Sequence, residues 1–174
     1  MKPSAVPPVR RWPAVDVLEP LLSDARLARI DGILEQRLGS VTAVFENIWD
    51  PHNVAACMRS CEGFGLQDSH IITEVHGYRP PAGITMSAER WLTTHRHKTT
   101  AGCVEQLRQG GFSIWVSDLE ATVAIEDLPV DGPIAIVVGN EVEGVSDRML
   151  AAADQRFILP MAGMVQSFNL SVAL

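Results

Sequence analysis

The stretch FILPMAGMVQSFNLSVAL, Phe157 to Leu174, decides how the rest of the chain is read. Phe157 to Leu159 make a short apolar strand. Pro160 stops it, because proline has no N–H to give a ladder. Gly163 in the following loop permits a close backbone approach or a positive φ. Ser167 is placed to cap a helix through its hydroxyl, with Asn169 and Ser171 set into the apolar run behind it. On pattern alone this is a strand, a loop and a helix in an α/β core.

Upstream the same alternation repeats. Val41 to Phe45 reads as the first buried strand. Asn53 can cap a helix that runs to Gly63 or Gly65. His70 to Thr73 reads as a second strand. Residues 76–86 form a Gly- and Pro-rich loop, and Ser87 opens a short helix through Trp91. Thr99 to Gln109 reads as a helix broken by Gly110 and Gly111, and Phe112 to Val116 as a strand ending at Ser117 and Asp118. Ile134 to Val138 is uninterrupted apolar sequence, as in a strand buried on both faces of a parallel sheet. Ser146 caps a helix to Ala153. Strands alternating with helices predict an α/β fold with a largely parallel sheet. Residues 1–22 read as a flexible, basic, Pro-rich arm, with Pro3, Pro7, Pro8 and Pro13 in its first part. The domain proper then covers 23–174. It begins with a helix over 23–38, with Ser23 as cap, Leu27, Ile30, Leu34 and Leu38 on one face, and Gly39 closing it. Arg26, Arg29 and Arg37 lie off that stripe, on a face that is either solvated or turned to RNA.

The 174 residues suit one domain, and 47% hydrophobic content supplies its core. No window has the ~18 apolar residues of a membrane span, and no secretory h-region is present, so a cytoplasmic protein is expected. Cys57, Cys61 and Cys103 lack metal-site spacing and read as reduced, mostly buried thiols, with no metal expected. A zinc site using His95 and His97 is the lesser alternative. The net charge of −7 excludes a broadly basic nucleic-acid binder. Residues 1–13 nevertheless carry Lys2, Arg10 and Arg11 and no acid, whereas 41–174 carry 8 basic and 16 acidic residues. Any RNA contact has to come from a local cluster.

Ligands of open α/β sheets bind at the carboxyl ends of the strands. Three polar, glycine-bearing or helix-opening stretches fall there: Asn47 to Arg59, Gly139 to Ser146, and the segment quoted first. None is a dinucleotide fingerprint, a phosphate-binding loop or a nucleophile elbow. His52 is the only histidine in them, with no acid placed by sequence to complete a triad. Pattern alone yields a ligand-binding α/β domain and no named reaction.

The three stretches together resemble the three motifs of the SpoU class of RNA ribose 2′-O-methyltransferases, in the SPOUT superfamily. Asn53 and Arg59 match the first motif, and Gly139-Asn140-Glu141 followed by Gly-Val-Ser the second. Pro160 to Ala173 matches the third at every invariant position. Within the class, Gly-Met-Val-Gln-Ser, Pro-His-Asn and the N-terminal helix look most like the branch that modifies guanosine 18 of tRNA. The alternatives are ribosomal RNA, another tRNA position, or an RNA-binding assembly factor that kept the fold. The resemblance implies a deep C-terminal trefoil knot, S-adenosyl-L-methionine as cofactor, a homodimer and a tRNA partner. It implies catalytic roles for Arg59, Asn53, Glu141, Ser167 and Asn169, and cofactor contacts at Ser117, Gly139, Leu159 and Phe168. Arg59 is cast as the acceptor of the ribose proton; a guanidinium is a poor base, so a phosphate clamp is the alternative. RNA contacts are expected from Arg10, Arg11, Arg26, Arg29 and His52. Two positions depart from the class: Asp50 stands where a basic residue is frequent, and Phe168 where leucine is usual. Relatives continue the last helix, so the natural chain is expected to extend past Leu174.

Overall fold

The computed structural model describes residues 13–75, 88–165 and 167–174. The expected loop 76–86, the helix start at Ser87, and Lys2, Arg10 and Arg11 of the arm lie outside them. The chain divides into two compact units between Gln36 and Arg37, whereas the sequence reading divided it at 22/23.

The first unit holds α1 (Pro13–Leu18), a 3-10 turn (Glu19–Leu21) and α2 (Asp24–Leu34). Ser23 occupies the N-cap with an extended backbone, yet its side chain makes no capping bond. The helix stops at Leu34, four residues before the expected Leu38. Leu38 itself pairs with Leu66 in parallel fashion, its N–H donating to the Gly65 carbonyl at 2.7 Å. A residue whose backbone is committed to a neighbouring segment has none left for a helical ladder. Arg26 and Arg29 are exposed on α2.

The second unit is an α/β sandwich around a six-stranded sheet in the order β3-β2-β1-β5-β4-β6. The strands are β1 (Val41–Glu46), β2 (Asp68–Ile72), β3 (Thr93–His97), β4 (Ser113–Ser117), β5 (Ile134–Val138) and β6 (Gln155–Phe157). Every pair is parallel. The helices are α3 (Pro51–Gly63), α4 (Thr100–Gln109), α5 (Asp147–Ala152) and α6 (Leu170–Ala173). Side chains alternate across each strand, so one strand serves two cores. Ala43 and Phe45 pack with Val54, Cys57, Met58, Cys61 and Leu170, from α3 and α6. Val44 turns the other way, onto Cys103, Leu107 and Met149 from α4 and α5. The β5 run Ile134–Val138 lies between β1 and β4, inside both layers, as its unbroken apolar sequence requires.

Local chemistry moved three boundaries. Asp50, not Asn53, caps α3: its carboxylate accepts the His52 N–H at 2.9 Å, and Pro51 sits in the first turn, where a missing N–H costs nothing. Asn169, not Ser167, caps α6, taking the Ser171 N–H at 3.0 Å. The last strand is Gln155–Phe157 rather than 157–159, with Ile158 making an isolated bridge to Ala124. Thr99 and Ser146 cap α4 and α5 through their hydroxyls.

Sheet order reverses beside β1. From there the chain runs outward to β2 and β3, then returns to the other side for β4, β5 and β6. Loops leaving β1 and β5 therefore meet at the carboxyl edge, the place where open sheets bind ligands.

Candidate cofactor and catalytic site

A cavity of about 850 Å³ opens at the carboxyl ends of β5, β4 and β6. Ser117 ends β4 and Asp118 follows it, Gly139 to Val145 follow β5, Phe157 ends β6 with Ile158 and Leu159 after it, and Ser167 to Leu170 lead into α6; all line it. The wall also carries Asn53 from the first turn of α3. The structure thus brings together Asn53, Glu141, Ser167 and Asn169, together with all four residues expected at the cofactor: Ser117, Gly139, Leu159 and Phe168.

A chain of side-chain hydrogen bonds joins the three motifs. Asn169 donates its amide to Asn53 Oδ1 at 3.1 Å. Asn53 donates in turn to Glu141 Oε1 at 2.7 Å. The other Glu141 oxygen accepts the Trp49 backbone N–H at 3.1 Å. Because Asp50 caps α3, the Asn53 side chain is released to serve as the middle link. Its two partners lie 88 and 116 residues away in sequence.

The turn after β5 is built to tight tolerance. Asn140 and Gly144 exchange backbone bonds of 2.8 and 2.9 Å, and Gly144 has φ 73°. A Cβ on Gly139 would lie 2.3 Å from the Gly144 backbone, so no larger residue fits. Asn140 is buried: its amide donates to the Asn47 carbonyl at 2.9 Å, and its Oδ1 takes the Val142 and Glu143 N–H groups. Asn47 has φ 51°, a left-handed conformation that asparagine tolerates, and its Oδ1 receives the Glu74 and Val75 N–H groups. Glu46 is 1% exposed. Its Oε1 accepts from the Thr100 hydroxyl at 2.6 Å and the Ser146 hydroxyl at 2.7 Å, and its Oε2 from the Ser146 N–H at 2.8 Å.

Not every expected residue reaches the cavity. Arg59 is exposed on α3, six residues beyond Asn53 and so ~9 Å further along the axis, and is not part of the lining. His52 is exposed and also outside the lining. Arg37, one of the three arginines placed off the helical stripe, is committed elsewhere: it donates to the Leu66 carbonyl at 2.7 Å and to Glu62 at 3.2 Å. The sequence reading passed over Asn47, Glu46 and the Asp118–Arg156 ion pair, in which Arg156 Nε donates at 2.6 Å. Glu46 and Asn47 follow directly on the run Val41 to Phe45, and an acid ending a buried strand was the available signal. Among the described residues the lining holds five carboxylates, Asp118, Glu120, Glu141, Glu143 and Asp147, against Arg156 as its one cation. Such a pocket favours a cationic ligand and repels a polyanion.

Comparison with known proteins identifies the chain's relatives. Residues 40–174 match the SpoU rRNA Methylase family. A tRNA (guanosine(18)-2′-O)-methyltransferase of Borreliella burgdorferi is 31% identical over 161 residues, covering 92% of this chain and 74% of the relative. The crystal structure of an Aquifex aeolicus TrmH/SpoU tRNA-modifying enzyme superposes with a TM-score of 0.77 at 30% identity, over 90% of this chain and 78% of the other. An AdoMet-bound rRNA methyltransferase from Sinorhizobium meliloti, 19% identical, shares the fold with a TM-score of 0.71 over 81% of this chain and 56% of its own. The chain belongs to the SpoU rRNA methylase family.

Proposed function

We propose that this protein transfers a methyl group from S-adenosyl-L-methionine to a ribose 2′-hydroxyl of RNA, and that its substrate is guanosine 18 of tRNA. The observation that carries the reading is the Asn169–Asn53–Glu141 chain on the rim of an acidic cavity at the carboxyl ends of β4, β5 and β6. The relatives named above support the reaction and the RNA class.

The cavity suits the cofactor by charge. S-adenosyl-L-methionine supplies an electrophilic methyl on a sulfonium centre, a cation suited to five carboxylates. Backbone groups at Ser117, Gly139, Leu159 and Phe168 are the proposed contacts, all on the cavity wall. Gly139 keeps the turn after β5 thin at that point. The hydrogen-bonded chain holds Asn169 and Asn53 at the rim, where an incoming ribose is oriented. Glu141 fixes Asn53 and, through the Trp49 N–H, the loop after β1. Ser167 lies beside Asn169 on the same wall.

Attack requires the ribose hydroxyl to share or lose its proton. Arg59 is exposed to water, and a guanidinium keeps its charge in proteins, so we assign it the clamp role. It holds an RNA phosphate with its planar fork and polarises the hydroxyl. RNA phosphates also meet Arg26, Arg29 and His52, all exposed, and Arg10 and Arg11.

The proposed assembly is a homodimer in which Arg59 and the cavity come from different copies, which explains its distance from the lining. Exposed Met164, Val165, Phe168 and Val172 near the C-terminal segment supply apolar surface for it. The proposed chain path is the class's trefoil knot, with an N-terminal helical extension. We place the enzyme in the cytoplasm, with its RNA; among the described residues no helix is long and apolar enough to cross a membrane.

Incubation with methyl-labelled cofactor and unfractionated tRNA, followed by nuclease digestion, tests the proposal. We expect label in 2′-O-methylguanosine. Label in base-methylated nucleosides or in another 2′-O-methylated nucleoside, or no label at all, overturns it.

A further inference from the structure

We propose that His70, His97 and Cys103 form a binding site for a borderline-soft divalent cation of the zinc class, separate from the cavity described above. The three come from β2, β3 and α4, and their donor atoms all lie within 4.8 Å of one another. His70 Nδ1 and His97 Nε2 face each other at 2.9 Å, with the rings inclined by only 13°. All three residues are buried, with Cys103 fully so.

The donor set is that of zinc, two imidazoles and a thiolate, with the fourth tetrahedral position left to water. Zinc–ligand bonds of about 2.0–2.3 Å put the ligand atoms about 3.3–3.6 Å apart. The two nitrogens therefore separate by a few tenths of an ångström, and the thiol closes in by at most about 1.2 Å. In the histidine pair one ring donates a proton and the other accepts it. On binding, the donating ring moves that proton to its other nitrogen, so both rings ligate as neutral imidazoles. The thiol releases its proton to solvent as the S–metal bond forms, one proton per ion.

Charge balances as well. Thr100, one turn before Cys103 on α4, donates to the buried Glu46 carboxylate. A thiolate and Glu46 together offset a divalent ion, so no net charge is buried. His95 lies flat against His70, ring centres 4.7 Å apart, and is held by Asp68 at 2.8 Å and Gln106 at 3.2 Å. The ion ties edge strand β3 to β2 and to α4. A hydrogen-bonded histidine pair with no metal affinity is the alternative.

Chelator-stripped protein titrated with cobalt(II) chloride tests this. We expect about one equivalent bound per chain, with a thiolate-to-cobalt absorption band that zinc chloride abolishes. Cys103→Ser removes the band and Cys57→Ser keeps it. X-ray absorption of the zinc-loaded wild-type protein should show one sulfur and two imidazoles, and this decides the matter even where Cys103→Ser fails to fold. Absence of stoichiometric uptake, a band that survives Cys103→Ser, or a sulfur-free zinc shell overturns the proposal.

Discussion

Two carboxylates leave neighbouring strands at the same edge of the sheet and meet opposite fates. Glu46 ends β1 and is 1% exposed, with the Thr100 hydroxyl and the Ser146 hydroxyl and N–H closing both of its oxygens. Glu141 follows β5, is exposed, and bonds Asn53 and the Trp49 N–H on the cavity rim. The first ties the starts of α4 and α5 to the sheet, and so fixes the turn that carries the second. A buried acid with both oxygens bonded is scaffold; an exposed acid gripping a second polar side chain beside a cavity is placed for chemistry. The fold uses the same residue type for both, and only burial and partners separate them.

That contrast breaks most visibly at Glu46. Glu46→Ala removes three bonds to a buried charge and strands the Ser146 N–H, and we expect a loss of about 3 kcal/mol in denaturant unfolding, with activity falling alongside. A melt unchanged from wild type would put Glu46 in the same class as Glu141. At Glu141→Ala the order reverses. We expect methyl transfer to fall about a hundredfold while stability stays within about 0.5 kcal/mol, as for other exposed positions. Equal losses in both would make the rim chain structural.

Arg59→Ala sharpens the assignment further. In the clamp role it costs on the order of tenfold to a hundredfold in transfer, with cofactor affinity nearly intact by calorimetry. Cofactor affinity falling in step with activity would refute that role.

The smallest expected effect is at Glu74. The Thr100 N–H at 2.7 Å, then Arg148 at 2.6 Å, hold its carboxyl below the ordinary 4.5. A lowered folded pKa adds stability above the unfolded value and loses it as pH falls through the folded one. Glu74→Gln should therefore melt slightly lower than wild type at neutral pH, with the two curves converging as pH falls through the lowered folded value, beneath the ordinary 4.5. A gap that persists into acid would mean the bond to Thr100, not the charge, is what counts.

Much of this was legible in the residues. Ile134 to Val138 reads as a doubly buried strand and is one, because an unbroken apolar run has no polar face to offer to water. Ser146 reads as a cap and is one, whereas Thr99, read as the first residue of its helix, turns out to be the cap. Edge strand β3, Thr-Thr-His-Arg-His, escaped notice, since its pattern is polar and pairing with β2 alone holds it in the sheet. The cap shifts to Asp50 and Asn169 turn on competition between adjacent polar side chains, which spacing cannot rank. Among site residues, the motif positions Asn53, Glu141, Ser167 and Asn169 all line one cavity. Their mutual bonds were not readable, because they join residues 88 and 116 positions apart. Glu46 and Asn140 were missed as anchors for the same reason: their partners come from other strands and loops.

The central claim is that the acceptor is a ribose hydroxyl at one nucleotide. The most direct measurement compares two otherwise identical tRNAs, one with guanosine at position 18 and one with 2′-deoxyguanosine there. We expect methyl transfer to the first and none to the second, because only the 2′-oxygen differs. Equal labelling of both would place the methyl group on a base or on another nucleotide and contradict the claim.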